Sequence, residues 1–364
     1  MNNARVYLGM SGGVDSSVTA LLLKEAGFDV TGVFIQGWYP DFLKCNWKDE
    51  RRDAMRVAAQ LEIPFLTINA EDAYKKEVID YMVREYSRGR TPNPDVMCNR
   101  HVKFGAFLNE ALKQDADFIA TGHYAQIENG ALESNVVLKS AVDSDKDQTY
   151  FLWNVPKLAL SQTLFPIGDL HKSEVRDIAR KNNLITAEKK DSQGVCFLGK
   201  VSMKDFLKHS IKTEKGDVLD SEGSVIGYHD GALLYTLGER KGFTIVKKGT
   251  DDAPRYVIDK DIEKNTLTVS EKNDASFQAR SKHETTITDT NWISREPKEG
   301  EVLMARFRHR QDLRLVQVSK ITVKKDTKED AWAITFTEAE EAVSPGQSLV
   351  LYAGDVCLGG GIIV

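Results

Sequence analysis

The sequence predicts an α/β protein with an N-terminal doubly wound parallel-sheet domain, a small mostly-β central domain and a C-terminal β-barrel. Up to about residue 200, short apolar segments alternate with helical ones, which is typical of a parallel sheet covered on both faces. After residue 276 the segments are all β-like, with turn signals roughly every 10 residues, which favours a small barrel or sandwich. We therefore predict domains at 1–202, 203–275 and 276–364.

The elements of the first domain follow from local patterns. Four apolar segments are predicted strands: RVYLGM (5–10), DVTGVFIQ (29–36), PFLTINA (64–70) and DFIATGHYA (117–125), the last including a loop. Four amphipathic segments are predicted helices: 16–27, which Gly27 ends, 49–63, 101–116 and 171–184.

The later elements are mostly β-like. Between 203 and 275 the chain has many glycines, short β-like runs and few helical periods. Six further segments are predicted strands: 284–293, 301–311, 313–325, 331–338, 347–354 and 356–364.

Composition is ordinary for a globular protein of 364 residues, with 41% hydrophobic and 28% charged residues. We see neither an apolar run of about 18 residues nor a signal-peptide pattern, so we expect a cytoplasmic protein with no membrane partner. Four widely spaced cysteines fit a reducing compartment. Because the net charge is -5, any contact with nucleic acid requires a local basic cluster.

The segment GMSGGVDSS (residues 9–17) joins the first predicted strand to the first predicted helix. Gly12 and Gly13 allow close backbone approach, and the N–H groups of a helix N-terminus attract anions. Ser11 and Ser16 add hydroxyl donors, and Asp15 suits a Mg²⁺ ion carried on phosphates. The pattern predicts a phosphate site, and a plain capped turn is the alternative.

Two other segments contain candidate reactive cysteines. In RGRTPNPDVMCNRHVKF (88–104), Asp95 and Cys98 are three residues apart, so one helical turn would place them on the same side. Basic neighbours are expected to lower the pKa of Cys98 and favour the nucleophilic thiolate. In DSQGVCFLGK (191–200), Cys196 lies in a polar, glycine-containing segment just before the second predicted domain, as a residue exposed at a domain edge would. For both cysteines, a packed structural thiol is the alternative.

The segment S-G-G-x-D-S, between a strand and a helix, resembles the PP-loop of the ATP pyrophosphatase superfamily. Four more segments extend the resemblance: N-P-D-x-x-C (93–98), TGHYA (121–125), DSDKDQTYFLW (143–153) and G-V-C-F (194–197). Together with SPGQSLVLYAGDVCLGGGII near the C-terminus, they resemble the bacterial tRNA-specific 2-thiouridylases over essentially the whole chain. The resemblance implies a PP-loop fold, similar to adenine nucleotide alpha hydrolases, for the first domain.

The resemblance also implies roles for individual residues. ATP would be bound by Gly9, Met10, Ser11, Gly12, Gly13, Val14, Asp15, Ser16, Ile35 and Gly122. The tRNA would be contacted by Asn93, Pro94, Asp95, Lys146, Asp147, Gln148, Arg308 and His309. Ile35 stands where the family often has Met, and a backbone contact to adenine would survive that change. His309 stands where the family commonly has Tyr, and an imidazole can also stack on a base.

The implied reaction adenylates the C2 oxygen of wobble uridine 34 and then replaces that oxygen with sulfur. Cys196 would carry a persulfide, and Cys98 would be the nucleophile. Either Cys98 attacks that persulfide and a Cys98–Cys196 disulfide forms, or Cys98 releases hydrosulfide first. Asp95 would be a general acid/base. Cys45 and Cys357 match no catalytic motif and are expected to be structural.

The implied small molecules are ATP and Mg²⁺, the latter on Asp15. The implied partners are a protein donor of persulfide sulfur and the anticodon loops of the lysine, glutamate and glutamine tRNAs. A local basic cluster is present in the last domain, where Arg306, Arg308, Arg310 and Arg314 fall within nine residues and the first three alternate along a predicted strand. Alternation would place several on one face, suited to RNA, and a merely solvated β face is the alternative.

Two other functions compete with thiolation. A small-molecule PP-loop amidating synthetase would need an ammonia source, and we recognise no glutaminase-like segment. It would also leave Cys98 and Cys196 without a task. A non-catalytic nucleotide sensor would need neither these thiols nor a basic C-terminal domain.

Overall fold

The computed structural model describes residues 3–40, 42, 47–129, 136–190, 202–246, 253–321 and 330–364. Cys45 and Cys196 lie outside these described residues. Among the helices described, none is both long enough and apolar enough to cross a lipid bilayer.

The first section contains the predicted parallel sheet. Its strands, in chain order, are β1 (Arg5–Gly9), β2 (Asp29–Gln36), β3 (Phe65–Asn69), β4 (Phe118–Thr121), β5 (Gln126–Asn129), β6 (Val136–Lys139) and β7 (Thr163–Leu164). Five of them form an all-parallel sheet in the order β3-β2-β1-β4-β7. Val6 and Leu8 of the central strand are fully buried, as expected when helices cover both faces. The predicted α/β class is confirmed.

Short and long helices connect these strands. They are α1 (Val14–Glu25), α2 (Trp47–Gln60), α3 (Glu71–Tyr74), a π-helical turn (Lys75–Asp80), α4 (Tyr81–Ser87), α5 (Pro94–Met97), a π-helical segment (Cys98–Phe107), α6 (Leu108–Lys113), α7 (Thr149–Leu152), α8 (Lys157–Ser161) and α9 (Lys172–Lys181). The helix predicted at 101–116 therefore begins earlier, because Pro94 at its first turn is preorganised for helix initiation. Asp95 and Cys98 consequently lie on one helical turn.

The central section opens with α10 (Met203–Ser210), a helix that its glycine-rich sequence did not predict. A five-stranded sheet follows, made of β8 (Gly216–Leu219), β9 (Val225–His229), β10 (Thr244–Ile245), β11 (Arg255–Asp261) and β12 (Thr266–Glu271). Its order is β10-β9-β8-β12-β11, and a 3₁₀ turn at Ala232–Leu234 connects β9 to β10.

The last section is the predicted barrel, preceded by α11 (Ala275–Gln278). Its strands are β13 (Lys282–Trp292), β14 (Val302–Arg306), β15 (Arg314–Ile321), β16 (Ala331–Glu340), β17 (Ser348–Ala353) and β18 (Val356–Ile363). Pairing runs β13-β16-β15-β14-β17-β18, and a β13–β18 pairing closes the ring. The hairpin β5–β6 adds to β18, so the first section contributes two strands to the third sheet. The domain boundaries at 202 and 275 remain a prediction.

The chain just before α5 is held against the barrel and the central section. The Thr91 N–H donates to Pro345 O at 2.9 Å, and the Gln347 side chain donates to Thr91 O at 2.8 Å. The Thr91 hydroxyl lies 3.1 Å from that of Thr236 in the central section. One apolar cluster also runs through all three sections. The start of α5 is therefore fixed by tertiary contacts, and its position depends on all three sections.

We expect Gly346→Ala to weaken this attachment. Gly346 has φ +90°, and a Cβ there would lie 2.9 Å from Thr91 N. Overpacking of this kind costs about 1–3 kcal/mol in free energy of unfolding. Gly354→Ala is the matched control, since Gly354 has φ +63° with nothing within 4 Å of its Cβ position. Urea denaturation should show the larger loss for Gly346→Ala, and equal losses would show that the Thr91 contact adds no constraint.

Candidate active site

The loop between β1 and α1 has the backbone shape of an anion site. Gly12 has φ +73°, and a Cβ at this position would collide with Glu50 O. Only glycine fits there without strain or a clash. Met10 is buried and its N–H donates to Val33 O at 2.8 Å, which fixes the loop to β2. The N-terminus of α1 at Val14 points its unpaired N–H groups into this loop.

The loop hydroxyls are partly used to hold its shape. The hydroxyls of Ser16 and Ser17 donate to Gly13 O at 3.2 and 2.8 Å. The Ser11 hydroxyl lies 3.4 Å from that of Ser16 and accepts from the Gly13 N–H at 3.4 Å. Ser11 is exposed, so its hydroxyl faces the side where a ligand would enter.

Asp15 has two partners that the sequence alone did not reveal. The ammonium of Lys172, at the start of α9, lies 2.6 Å from Asp15 Oδ1. The Tyr124 hydroxyl donates to the same oxygen at 2.9 Å. Both partners come from distant segments, and Lys172 was part of a helix interpreted only as amphipathic. They place a cation beside the loop and fix the carboxylate's orientation.

A second lysine also contacts the glycine loop. Lys189 donates to Gly12 O at 2.9 Å and lies 2.7 Å from the Asp53 carboxylate. The carbonyl of Gly12 is thereby held by a lysine that is itself paired with Asp53. Sequence reasoning missed Lys189 because a lysine in a polar run is usually a solvated surface residue.

The carboxyl ends of β1, β2 and β4 meet at the loop. Gly9 pairs with Val33 of β2 and Thr121 of β4, and Ile35 lies near the end of β2. Gly122 follows β4 directly, and a Cβ there would lie 2.8 Å from Ser16 N. Because ligands of open parallel sheets bind at these carboxyl ends, the predicted nucleotide residues form one edge.

The helical stretch with Asp95 and Cys98 reaches the same edge through Lys103. The Lys103 ammonium lies 3.3 Å from His123 Nε2, and Thr121 Oγ1 lies 2.7 Å from His123 Nδ1. Burial lowers the pKa of His123 well below its usual range, with Lys103 acting in the same direction, so the imidazole is neutral at pH 7. Burial raises the pKa of the Asp95 carboxyl, and Lys103 partly opposes that rise.

Cys98 is buried in the apolar cluster that joins the three sections. Several basic neighbours predicted to act on it contact other groups. Arg88 and Arg90 pair with the buried Glu85, and Arg100 donates to Asn154 O at 3.1 Å. The expected effect on the pKa of Cys98 therefore stays a prediction.

Asn93 and Pro94 begin the helical stretch next to the barrel. The Asn93 side chain hydrogen-bonds the Tyr150 hydroxyl, which donates to Ser348 O at 3.0 Å. Pro94 is buried, whereas Asn93 is half-buried. The polar end of the predicted uridine-binding motif is thereby positioned by the barrel.

The predicted row of arginines on one strand face is wrong. β14 ends at Arg306, and Arg308, His309 and Arg310 lie in the turn that follows. Arg306 turns inward because the buried Asp147 carboxylate lies 3.2 Å from its guanidinium. The turn borders a cavity of about 510 Å³, whose lining residues are Lys272, Arg308, His309, Arg310, Gln311, Arg314, Glu338, Ala339, Glu340 and Glu341.

The turn still presents a basic and aromatic surface. The Arg308 side chain is exposed and donates to Ala342 O at 2.7 Å. The His309 ring lies 4.6 Å from the Phe151 ring. We name residues 308–310 the basic turn.

The predicted RNA contacts at 146–148 are divided by burial. Lys146 and Gln148 are half-buried, whereas Asp147 is only 3% exposed. In this conformation the Asp147 carboxylate faces the protein interior, and Lys146 remains on the surface side of the loop. Sequence reasoning could not see this division because Asp147 stands in a run of charged residues.

Cys357 is fully buried in the barrel, and burial raises the pKa of its thiol. Such a thiol is inert, as expected for a structural cysteine. Among the described residues, no three His, Cys, Asp or Glu side chains are grouped as a metal site.

Comparison with known proteins covers the whole chain. Residues 4–200 match the family model described as "tRNA methyl transferase HUP domain", residues 204–271 the related PRC-barrel domain, and residues 282–363 an "Aminomethyltransferase beta-barrel domain". The tRNA-specific 2-thiouridylase MnmA of Streptococcus thermophilus is 45% identical over 370 residues, covering 100% of this chain and 95% of the relative. That of Bacillus subtilis is 43% identical over 367 residues, covering 99% and 95%.

Among solved structures, the U34-tRNA thiolase NcsA of Methanococcus maripaludis aligns with a TM-score of 0.35 and 17% identity. The alignment covers 58% of this chain and 68% of that chain.

The identity to these relatives extends over all three sections, from the glycine loop to the barrel. The chain therefore belongs to the tRNA-specific 2-thiouridylase family, and it is a tRNA-uridine 2-sulfurtransferase.

Proposed function

We propose that the glycine loop binds ATP and that the enzyme adenylates the C2 oxygen of wobble uridine 34 before sulfur transfer. The observation that carries this proposal is the loop at residues 9–16, whose Asp15 is held by Lys172. Gly122 packs against this loop, and the next residue, His123, contacts Lys103 on the helical segment that begins at Cys98. Gly9, Ile35 and Gly122 would surround the nucleotide at the carboxyl edge of the sheet.

The charges near the loop suit the leaving pyrophosphate. The helix N-terminus and the Lys172 ammonium both favour an anion there. Lys172 and Tyr124 both contact Asp15 Oδ1, so Oδ2 would be the oxygen that holds Mg²⁺. One carboxylate oxygen plus phosphate oxygens is a usual ligand set for this ion. When bound, Mg²⁺ would supply charge neutralisation on the phosphates.

A pyrimidine C2 oxygen is a poor leaving group, and attachment of AMP turns it into a good one. Asp95 would act beside the target base as the general acid/base. Its pKa is raised by burial, which keeps the protonated form available at higher pH than for an exposed aspartate. Asn93 and Pro94 would contact the base, which costs little to unstack in an anticodon loop.

The thiol chemistry uses Cys98 and Cys196. A persulfide on Cys196 attacks C2, a C–S bond forms and AMP leaves with the former C2 oxygen. The Cys98 thiolate then attacks Cys196 Sγ, the inner sulfur of the adduct, the bond from Sγ to the transferred sulfur breaks, and the electron pair remains on the new 2-thio group. A Cys98–Cys196 disulfide results, and a dithiol or thiol reductant must reduce it by two electrons.

An alternative order has Cys98 releasing hydrosulfide before C2 is attacked.

The RNA surface would combine the loop at 146–148 with the basic turn. Lys146, Gln148, Arg308 and His309 are the proposed contacts, and the proposed substrates are the lysine, glutamate and glutamine tRNAs. A separate protein would donate persulfide sulfur to Cys196. We further propose a cytoplasmic location and domain boundaries at 202 and 275.

The proposal is tested by measuring AMP and pyrophosphate release with and without an anticodon-loop RNA. We expect release that depends on RNA containing the wobble uridine. Release driven by ammonia and a small acid would indicate an amidating synthetase. ATP binding without any release would indicate a sensor. Either result would contradict the proposal.

We predict that Ser11→Ala and Asp15→Ala each lower the rate of AMP formation by at least about a hundredfold. The physical reason is loss of a donor to the phosphates and of the carboxylate that Lys172 and Tyr124 hold. Asp15→Asn is a second variant at this position, which removes the charge and keeps the size of the side chain. Ser161→Ala, which removes a hydroxyl that donates to Leu158 O, is the control. Normal turnover by a folded Asp15 variant would remove the PP-loop assignment.

We predict that Cys98→Ser and Cys196→Ser still adenylate RNA but form no 2-thiouridine, because sulfur enters after AMP. Cys45→Ser should thiolate normally. Peptide mapping of the wild type after one turnover without reductant should show a Cys98–Cys196 cross-link. Thiolation at the normal rate by both serine variants would refute the two-cysteine chemistry.

We predict that Arg308→Ala weakens RNA binding and reduces the slope of log affinity against log salt by about one. The exposed guanidinium would otherwise replace one counterion on the RNA backbone. Arg280→Ala, which removes an exposed arginine paired with Asp259, is the control. Titrations over a salt series that superimpose with the wild type would show that the turn is only solvated.

We predict an acidic limb in the pH dependence of AMP formation that Asp95→Asn removes. Burial raises the pKa of Asp95 above its ordinary 3.8, so the ionised base appears only at higher pH and the rate rises with pH through that raised value. For the same reason Asp95 contributes less to folding stability as pH rises through this range. An unchanged limb in an active Asp95→Asn enzyme would assign the proton transfer elsewhere.

A further inference from the structure

The Asp147 carboxylate is enclosed by protein groups. It is 3% exposed, it accepts from the Ala141 N–H at 3.2 Å, and it accepts from the Thr149 hydroxyl at 2.8 Å. Arg306 Nη1 donates to its Oδ2 at 3.2 Å, the oxygen that also accepts from Thr149. A buried carboxylate with this many partners holds together the segments that contact it. Removing one partner of such a buried ion pair would leave an uncompensated charge.

Arg306 connects the buried Asp147 carboxylate to the barrel. Its side chain is 14% exposed, and its guanidinium lies 5.6 Å above the ring of Tyr352 on β17. Arg306 is the last residue of β14, so the basic turn begins two residues later. The position of the turn therefore depends on a strand end that Asp147 holds.

The next residue in the loop, Gln148, holds Tyr124 at two points. The Gln148 N–H donates to Tyr124 O at 2.9 Å, and the Tyr124 N–H donates to Gln148 Oε1 at 2.9 Å. Tyr124 is 2% exposed, and its hydroxyl donates to Asp15 at 2.9 Å.

The same loop also touches the second partner of Asp15. The Lys172 N–H donates to Asp143 Oδ2 at 2.8 Å, while the Lys172 ammonium lies on Asp15. Both groups that orient the Asp15 carboxylate are therefore fixed to the loop at 141–149, and this loop is fixed to the barrel by Arg306.

We propose that Tyr124 is a positioning residue for Asp15, and that the buried Asp147–Arg306 pair sets the position of Asp15 relative to the basic turn. Asp147 acts inside the protein and makes no RNA contact. This inference rests on the proposed function, because it assumes ATP at the glycine loop and RNA at the basic turn. Its consequence is that RNA held at the turn and ATP held at the loop keep one fixed separation.

Tyr124→Phe tests whether Tyr124 positions Asp15, since this change removes the hydroxyl oxygen and keeps the ring. We expect the maximal rate of AMP release at saturating ATP and RNA to fall about tenfold, with the KM for ATP and the RNA Kd each within about twofold. Tyr235→Phe is the matched control, because this buried hydroxyl donates to Gly242 O within the central section. A role in stability alone would lower the unfolding midpoint and leave the rate per folded enzyme unchanged, which would overturn the proposal.

Asp147→Asn and Arg306→Met test whether the Asp147–Arg306 pair sets the position of Asp15 relative to the basic turn. Asp145→Asn, the same change on an exposed residue of the same loop, is the control. We expect both variants to lower the maximal rate. When either change is combined with Tyr124→Phe, the fold-reduction in maximal rate should be smaller than the product of the two single fold-reductions. The reason is that both changes act on the same chain of contacts to Asp15.

If Asp147 instead contacted RNA, Asp147→Asn would change the RNA Kd and leave the rate at saturating RNA unchanged. The double variant would then have the same maximal rate as Tyr124→Phe alone. Either result overturns the inference. Failure of the proposed function is separate, because it would appear as wild-type enzyme that releases no AMP with RNA. If the wild-type enzyme releases AMP with RNA and the Tyr124→Phe enzyme is fully active, only the inference is refuted.

Discussion

The close approach of Gly122 to the glycine loop is the constraint on which the site depends. A Cβ at Gly122 would lie 2.8 Å from Ser16 N, so the backbone just after β4 lies against the first turn of α1. The residues next to Gly122 then reach in two directions. His123 lies beside Lys103 on the helical stretch that carries Cys98, and Tyr124 donates to Asp15. One contact therefore positions the nucleotide loop and the thiol helix together.

The barrel fixes the other side of the same site. Thr91 is bonded to Pro345 and Gln347, and Tyr150 connects Asn93 to Ser348. A helix start held at several points cannot tilt without breaking all of them. Burial at this junction also sets the chemistry, since it raises the pKa of Asp95 and keeps His123 neutral. The barrel is thus part of the active-site framework as well as the proposed RNA surface.

Sequence patterns predicted the parallel sheet, the barrel and the glycine loop because each depends on local signals. A pair of glycines before a helix pattern, and apolar residues at strand spacing, are visible without tertiary information. Lys172, Lys189 and Tyr124 were not identified because their partners lie far along the chain. Arg306 was misplaced for the same physical reason, since a buried carboxylate 159 residues away determines which way it turns.

The most direct measurement is mass spectrometry of nucleosides from the anticodon loops of cells that lack this protein. We expect 2-thiouridine derivatives at the wobble position to be absent from these cells and to return when the wild-type chain is expressed. Undiminished 2-thiouridine in cells lacking the protein would contradict thiolation of wobble uridine by this site.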